Sequence, residues 1–222
     1  MMRAAHGPKT NEPRMSEPIA FYFDFISPYA YIGSTQIERI AARHGRSVDW
    51  RPVLIGVTVM KIMGMKPLTE TPLKSDYLKH DGPRMAQVYG VPYKPHGLKG
   101  VNSLAACRAF LWLKAQDADL AVRFARRIFA RLWVEGRDIT PVESVAEEAA
   151  ALGVDAAALT AAIAAPAGKH ALNAAVDEAV ARGVFGVPFF IADGEPIWGG
   201  DRLWMLDHWL AHHSWTPLEQ VQ

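Results

Sequence analysis

The chain has 222 residues, half of them hydrophobic and 21% charged, with a net charge of +1. That balance suits a globular protein with a substantial core, in one large domain or two intimately packed ones, and its dispersed Lys and Arg residues offer no basic surface for nucleic acid or a membrane. A single cysteine, Cys107, excludes an intramolecular disulfide and any multi-cysteine metal cluster, and fits a reducing cytoplasm.

Residues 1–17 mix basic, acidic and proline residues without a continuous apolar run, which argues against a signal peptide or membrane span and reads as a flexible tail, with Met15 a candidate for an older start. Ile19 to Phe25 is a β-branched and aromatic run of strand length, and Tyr31 to His44 places Ile32, Ile37, Ile40 and Ala41 at helical spacing before the stop signal Gly45. Ser47 to Val53 alternates as a second strand, parallel to the first by the crossover rule. From about Thr58 the texture turns helical. Helices are expected over Thr69 to Gly90, Ser103 to Gln116, Leu120 to Glu135, Pro141 to Leu152, Ala156 to Ala164 and Lys169 to Arg182. In the fourth, Thr140 is the expected cap, Pro141 the first helical residue and Glu143 the other half of a capping box. Strand signals return in Phe189 to Ala192 and Glu195 to Trp198 around the hairpin dipeptide Asp193-Gly194, and Asp201 to His212 reads as an amphipathic helix.

The order β-α-β, helices, β-β-α is an α/β layout: a thioredoxin-like fold with a large all-helical domain inserted between its halves. The expected boundaries are 18–58 and 180–216 for the thioredoxin-like domain and 59–179 for the insert.

In this layout Ser27, in Phe23-Asp24-Phe25-Ile26-Ser27-Pro28-Tyr29, stands at a helix start where the fold keeps its first redox cysteine. A helix N-terminus favours negative charge. Serine forms no disulfide, so the thiolate is expected on a ligand, and glutathione is the obvious one. A serine there is also a good N-cap, which needs no ligand. Downstream, Gly186-Val187-Pro188 precedes a strand, where a proline suits a cis peptide and Val187 would pair its backbone with an extended peptide; an ordinary trans-proline at a strand start fits the same letters. In Trp198-Gly199-Gly200-Asp201 the glycines permit close backbone approach, and Asp201 suits both a helix cap and an ammonium partner. Cys107, in an apolar helical run, reads as a buried structural thiol, and the histidines show no metal-ligand spacing, so no metal is expected.

Together these segments, with Asp76-Tyr77-Leu78-Lys79, Asp81, Arg84, Tyr89-Gly90-Val91-Pro92 and Asn102-Ser103, resemble the 2-hydroxychromene-2-carboxylate isomerase family, relatives of kappa-class glutathione transferases, from Ile19 to about His212. The resemblance implies Ser27 as the catalytic serine, Val187 before cis-Pro188, and Trp198, Gly199, Gly200 and Asp201 as the stretch binding the γ-glutamyl end of glutathione. It also matches Lys61 to a lysine that meets a carboxylate. The stretches 64–71 and 94–101 depart from the family pattern, with His96 as a candidate pocket residue. The implied activity is a glutathione-dependent isomerisation of a small aromatic-derived substrate by a homodimer. A kappa-type transferase and a non-catalytic glutathione-binding module are the alternatives.

Overall fold

The computed structural model describes residues 17–215. Nearly all of the expected tail, and residue 216 of the expected thioredoxin-like unit, lie outside the described residues.

Strand β1 (Ile19–Phe23), helix α1 (Pro28–Arg43) and strand β2 (Val48–Pro52) form the β-α-β unit, with the two strands parallel. β1 stops short of the expected Phe25 because Asp24 turns the chain: its Oδ1 accepts the Ile26 N–H at 3.2 Å and its carbonyl accepts the Ser27 N–H at 3.1 Å. α1 ends at Arg43 with His44 as its cap, and Gly45, with φ of +64°, suits the position after that cap. Beyond β2, Gly56–Ile62 is a π-helical segment, followed by helices α2 (Lys74–Tyr89), α3 (Leu104–Lys114), α4 (Ala118–Trp133), α5 (Val142–Ala150), α6 (Ala156–Ala164) and α7 (Pro166–Ala181). Strands β3 (Phe189–Ala192) and β4 (Glu195–Trp198) and helix α8 (Leu203–His212) complete the chain. The hairpin turns on Asp193 at φ +54° and Gly194 at φ +86°, the positive pair that a two-residue turn of this type requires. β3 runs antiparallel to β1 and to β4, in the order β2-β1-β3-β4.

Among the helix starts that differ from expectation, three show a local cause. α2 begins at Lys74 because a separate 3₁₀ turn, Leu68–Glu70, ends at Thr71, which precedes Pro72 and takes the extended backbone that proline imposes on its predecessor. α7 begins earlier than expected, at Pro166, whose fixed φ suits the first helical position. The capping box at Thr140 does not form. Pro141 is still extended, so α5 starts one residue late, and the Thr140 hydroxyl instead accepts the Asn102 N–H at 3.1 Å.

Alternation divides β1 between two faces. On one, Phe21 stacks on Phe190 at 5.3 Å and meets Trp50 edge-on at 4.9 Å, while Phe23 reaches Phe110 of α3 at 5.3 Å and Phe129 of α4 at 5.7 Å. Sheet and inserted helices therefore share one core, in which Cys107 is fully buried. On the other face, Ala179 of α7 and Val184 cover Ala20, Tyr22, Phe189 and Ile191. Among the described residues, no helix is long and apolar enough to cross a membrane.

Two stability predictions follow from this packing. Phe23→Ala, which empties the junction of sheet, α3 and α4, should cost about 3–5 kcal/mol in urea unfolding. Burial alone would favour neutral Asp49, but Lys114 on α3 and Arg51 outweigh it and hold the carboxyl below its usual range. A lowered pKa stabilises the fold above the unfolded-state value and loses that contribution as pH falls through the folded one. Asp49→Asn should therefore be less stable at neutral pH and lose less stability than the native chain below about pH 4.

Candidate functional site

The β1–α1 junction presents Ser27. Pro28 occupies the first helical position, and the Ser27 Oγ caps the helix by accepting the Ala30 N–H at 3.2 Å. This bond uses a lone pair and leaves the hydroxyl hydrogen for another acceptor, so capping and donation to a ligand coexist in one side chain. Of the first three helical residues, Pro28 has no N–H, Ala30 gives its own to Ser27, and Tyr29 keeps an N–H without a partner among the described residues. The helix dipole adds its positive end at the same point.

Two later segments meet this junction. The Val187–Pro188 bond is cis, and Pro188 packs against α1: a Cβ built on Gly33 would lie 3.3 Å from the Pro188 Cβ. Gly200 fits equally closely, since its Cβ would lie 3.4 Å from the Tyr29 carbonyl oxygen. The Gly199 N–H donates to the Pro188 carbonyl at 3.0 Å, and the Trp198 indole covers Gly186, where a Cβ would fall 2.8 Å from Nε1. The Val187 amide and carbonyl have no hydrogen-bond partner among the described residues. Ser27, Val187, Trp198, Gly199 and Gly200 are thus brought to one corner. Asp201 is not a helix cap: the 3₁₀ turn Gly200–Arg202 carries it into the turn ahead of α8, and its exposed carboxylate makes only a loose pair with Arg202 at 3.5 Å.

Inserted residues brace the corner in ways the sequence reading did not assign. The Tyr29 hydroxyl donates to Asp81 of α2 at 2.7 Å, and the Tyr77 hydroxyl donates to the same carboxylate at 3.0 Å. Burial first, then the Asp81 carboxylate, holds the Tyr29 phenol well above its usual range. Tyr89 donates to the Gly200 carbonyl at 3.1 Å, and the Trp133 indole to the Phe25 carbonyl at 2.8 Å. Tyr29, directly after Ser27-Pro28, was the one with a local signal; the others are linked only by the tertiary fold.

Lys61 and His96 stand apart from this corner. Lys61 lies exposed on the π-helical segment, between exposed Met60 and Ile62, and makes no hydrogen bond or ion pair among the described residues. His96 rests on Trp133 at 4.7 Å, and through that indole it is one side chain from the turn before Ser27. Its Nδ1 is buried without a hydrogen-bond partner among the described residues, and burial lowers its pKa despite the opposing Asp138 charge and the Leu98 backbone. A groove of about 400 Å³ beside β4 and α8 includes Trp198, Arg202 and Trp215 but not Ser27. Among the described residues, no three His, Cys, Asp or Glu side chains cluster to hold a metal ion.

Residues 18–211 match the DSBA-like thioredoxin domain family. A 2-hydroxychromene-2-carboxylate isomerase from Sphingobium xenophagum is 32% identical over 204 residues, covering 88% of this chain and 99% of the relative. Glutathione S-transferase kappa 1 from Homo sapiens is 27% identical over 212 residues, covering 90% and 93%. A solved structure of a 2-hydroxychromene-2-carboxylate isomerase superimposes with a TM-score of 0.77 at 28% identity, covering 88% of this chain and 95% of that one. The chain belongs to the DSBA-like thioredoxin family, and within it to the group of 2-hydroxychromene-2-carboxylate isomerases and kappa-class glutathione transferases.

The contact between Gly33 and Pro188 gives a test of how the corner is held. Gly33→Val would drive two methyl groups toward the proline and should lower stability by about 1–3 kcal/mol in denaturant unfolding.

Proposed function

We propose that this protein is a glutathione-dependent isomerase that interconverts 2-hydroxychromene-2-carboxylate and trans-o-hydroxybenzylidenepyruvate. The carrying observation is the corner itself: a serine hydroxyl with a hydrogen to give, at a helix N-terminus, near a Val187 backbone that has no partner among the described residues. Glutathione fits that donor set, and when bound it supplies a thiolate that adds reversibly to an enone-type carbon. Ser27 Oγ–H and the start of α1 stabilise the sulfur's charged form, because hydrogen bonds and a positive dipole end favour an anion. Val187 offers an amide and a carbonyl to the cysteinyl backbone, while Gly199 and Gly200 allow the γ-glutamyl end to approach. Asp201, free of a capping role, accepts its ammonium.

Lys61, unpaired among exposed methionines and isoleucine, suits an aromatic acid, with its ammonium for the carboxylate and the thioethers for the ring. His96, resting on Trp133, is assigned to the substrate as well. Serine acts as donor and not as nucleophile, since no base contacts its hydroxyl among the described residues. Disulfide exchange is disfavoured on chemical grounds: Ser27-Pro28-Tyr29-Ala30 has no sulfur, and Cys107 is fully buried with its thiol pKa pushed up by that burial. A homodimer in the reducing cytoplasm is the expected setting.

The similarity to the human kappa-class enzyme favours a second reading, transfer of glutathione to an electrophile from the same corner. Absorbance assays of both reactions, with and without glutathione, separate the two. Native protein should isomerise the chromene only with glutathione present, and Ser27→Ala should lose roughly 10- to 100-fold in kcat/KM, as for one hydrogen bond to a charged group. Turnover of a halogenated aromatic alone would move the protein to the transferase reading, and glutathione affinity without turnover to a binding module.

A further inference from the structure

Asp24 is buried to 1% exposure, with no role in the chemistry above. Its carboxylate is not idle. Oδ1 accepts the Ile26 N–H at 3.2 Å, inside the turn that delivers Ser27, and Oδ2 accepts the Ile55 N–H at 2.9 Å, at the residue that caps the π-helical segment bearing Lys61. The Ser103 side chain, 2% exposed at the N-cap of α3, also acts to hold the carboxyl's pKa down. A buried carboxylate needs donors, and here two backbone N–H groups come to it from separate segments.

We propose that Asp24 is a positioning residue that locks the Ser27 turn to the Lys61 segment, so that the serine donor and the substrate cation keep one relative placement. This rests on the glutathione reading of Ser27. The Asp24 carbonyl takes the Ser27 N–H at 3.1 Å while its side chain takes the Ile55 N–H at 2.9 Å, so one residue sets the direction of the serine and anchors the start of the Lys61 segment. Burial raises the Asp24 pKa, while its donors pull it down.

The test is a cycle of native protein, Asp24→Asn, Ser27→Ala and the double variant. In each, the pH midpoint at which bound glutathione becomes a thiolate is read by ultraviolet absorbance, and the exchange of the Ile26 and Ile55 amide hydrogens is measured without ligand. An amide in place of the carboxylate sets an N–H donor against one of its donors. Asp24→Asn should therefore speed exchange at Ile26 and Ile55 at least about tenfold. It should also shift the thiolate midpoint when Ser27 is present and leave it unchanged in the Ser27→Ala background, because groups acting through one another are non-additive. An equal shift in both backgrounds would mean a field effect independent of the serine and overturn the proposal, as would unchanged exchange. Native protein that binds no glutathione would instead end the glutathione reading, with the exchange result still reporting on the lock. If Asp24→Asn does not fold by circular dichroism, Asp24→Glu carries the same cycle, since one added methylene moves the carboxylate off the Ile26 and Ile55 N–H groups; the same pattern is expected, and additive shifts there would equally overturn the proposal.

Discussion

The turn between β1 and α1 is the constraint on which the site depends. Within four residues it passes from a buried strand, through a carboxyl that takes backbone donors, to a serine that caps a helix with its lone pair. A strand that continued to Phe25 would keep Asp24 in the ladder and point Ser27 elsewhere. The chain leaves the sheet at Phe23, and the Asp24 side chain takes the Ile26 N–H that a continued ladder could have used. Every later feature of the corner is arranged around the direction this turn gives to α1: Pro188 against Gly33, Gly200 against Tyr29, and Trp133 on the Phe25 carbonyl.

The shared core explains why such a turn is held firmly. Phe23 and Phe25 leave the strand directly into the aromatic cluster formed with Phe110 and Phe129 of the inserted helices. Close-packed interiors transmit displacement, so the inserted helices support the site as well as shield it. The tyrosines extend that support in polar form, with Tyr29 tied to Asp81 of α2 and Tyr89 tied to the Gly200 carbonyl. The corner is internally bonded, whereas Lys61, which we propose meets the substrate, stands exposed on a π-helical segment of the kind often found at functional sites.

Much of this was legible in the sequence, for local reasons. Strand alternation, the Asp193-Gly194 turn and the glycine after α1 are short-range signals, and each stands where expected. Ser27 and Val187-Pro188 were legible because a helix start and a proline before a strand have few structural meanings. What was not legible depended on distant partners. Asp201 reads as a cap until the 3₁₀ turn ahead of α8 displaces the helix start, and Thr140 reads as a cap until Pro141 stays extended and Asn102 takes its hydroxyl. Asp24 reads as one more residue of a strand end, since Ile55, whose N–H its carboxylate takes, lies far along the chain.

The central claim is that this corner holds a thiolate brought by glutathione. A crystal structure of the protein grown with glutathione tests it most directly. The account predicts the sulfur within hydrogen-bonding distance of Ser27 Oγ, with the cysteinyl backbone paired to Val187. A glutathione bound instead in the groove between Trp198 and Trp215, or with its sulfur turned away from the start of α1, would contradict it.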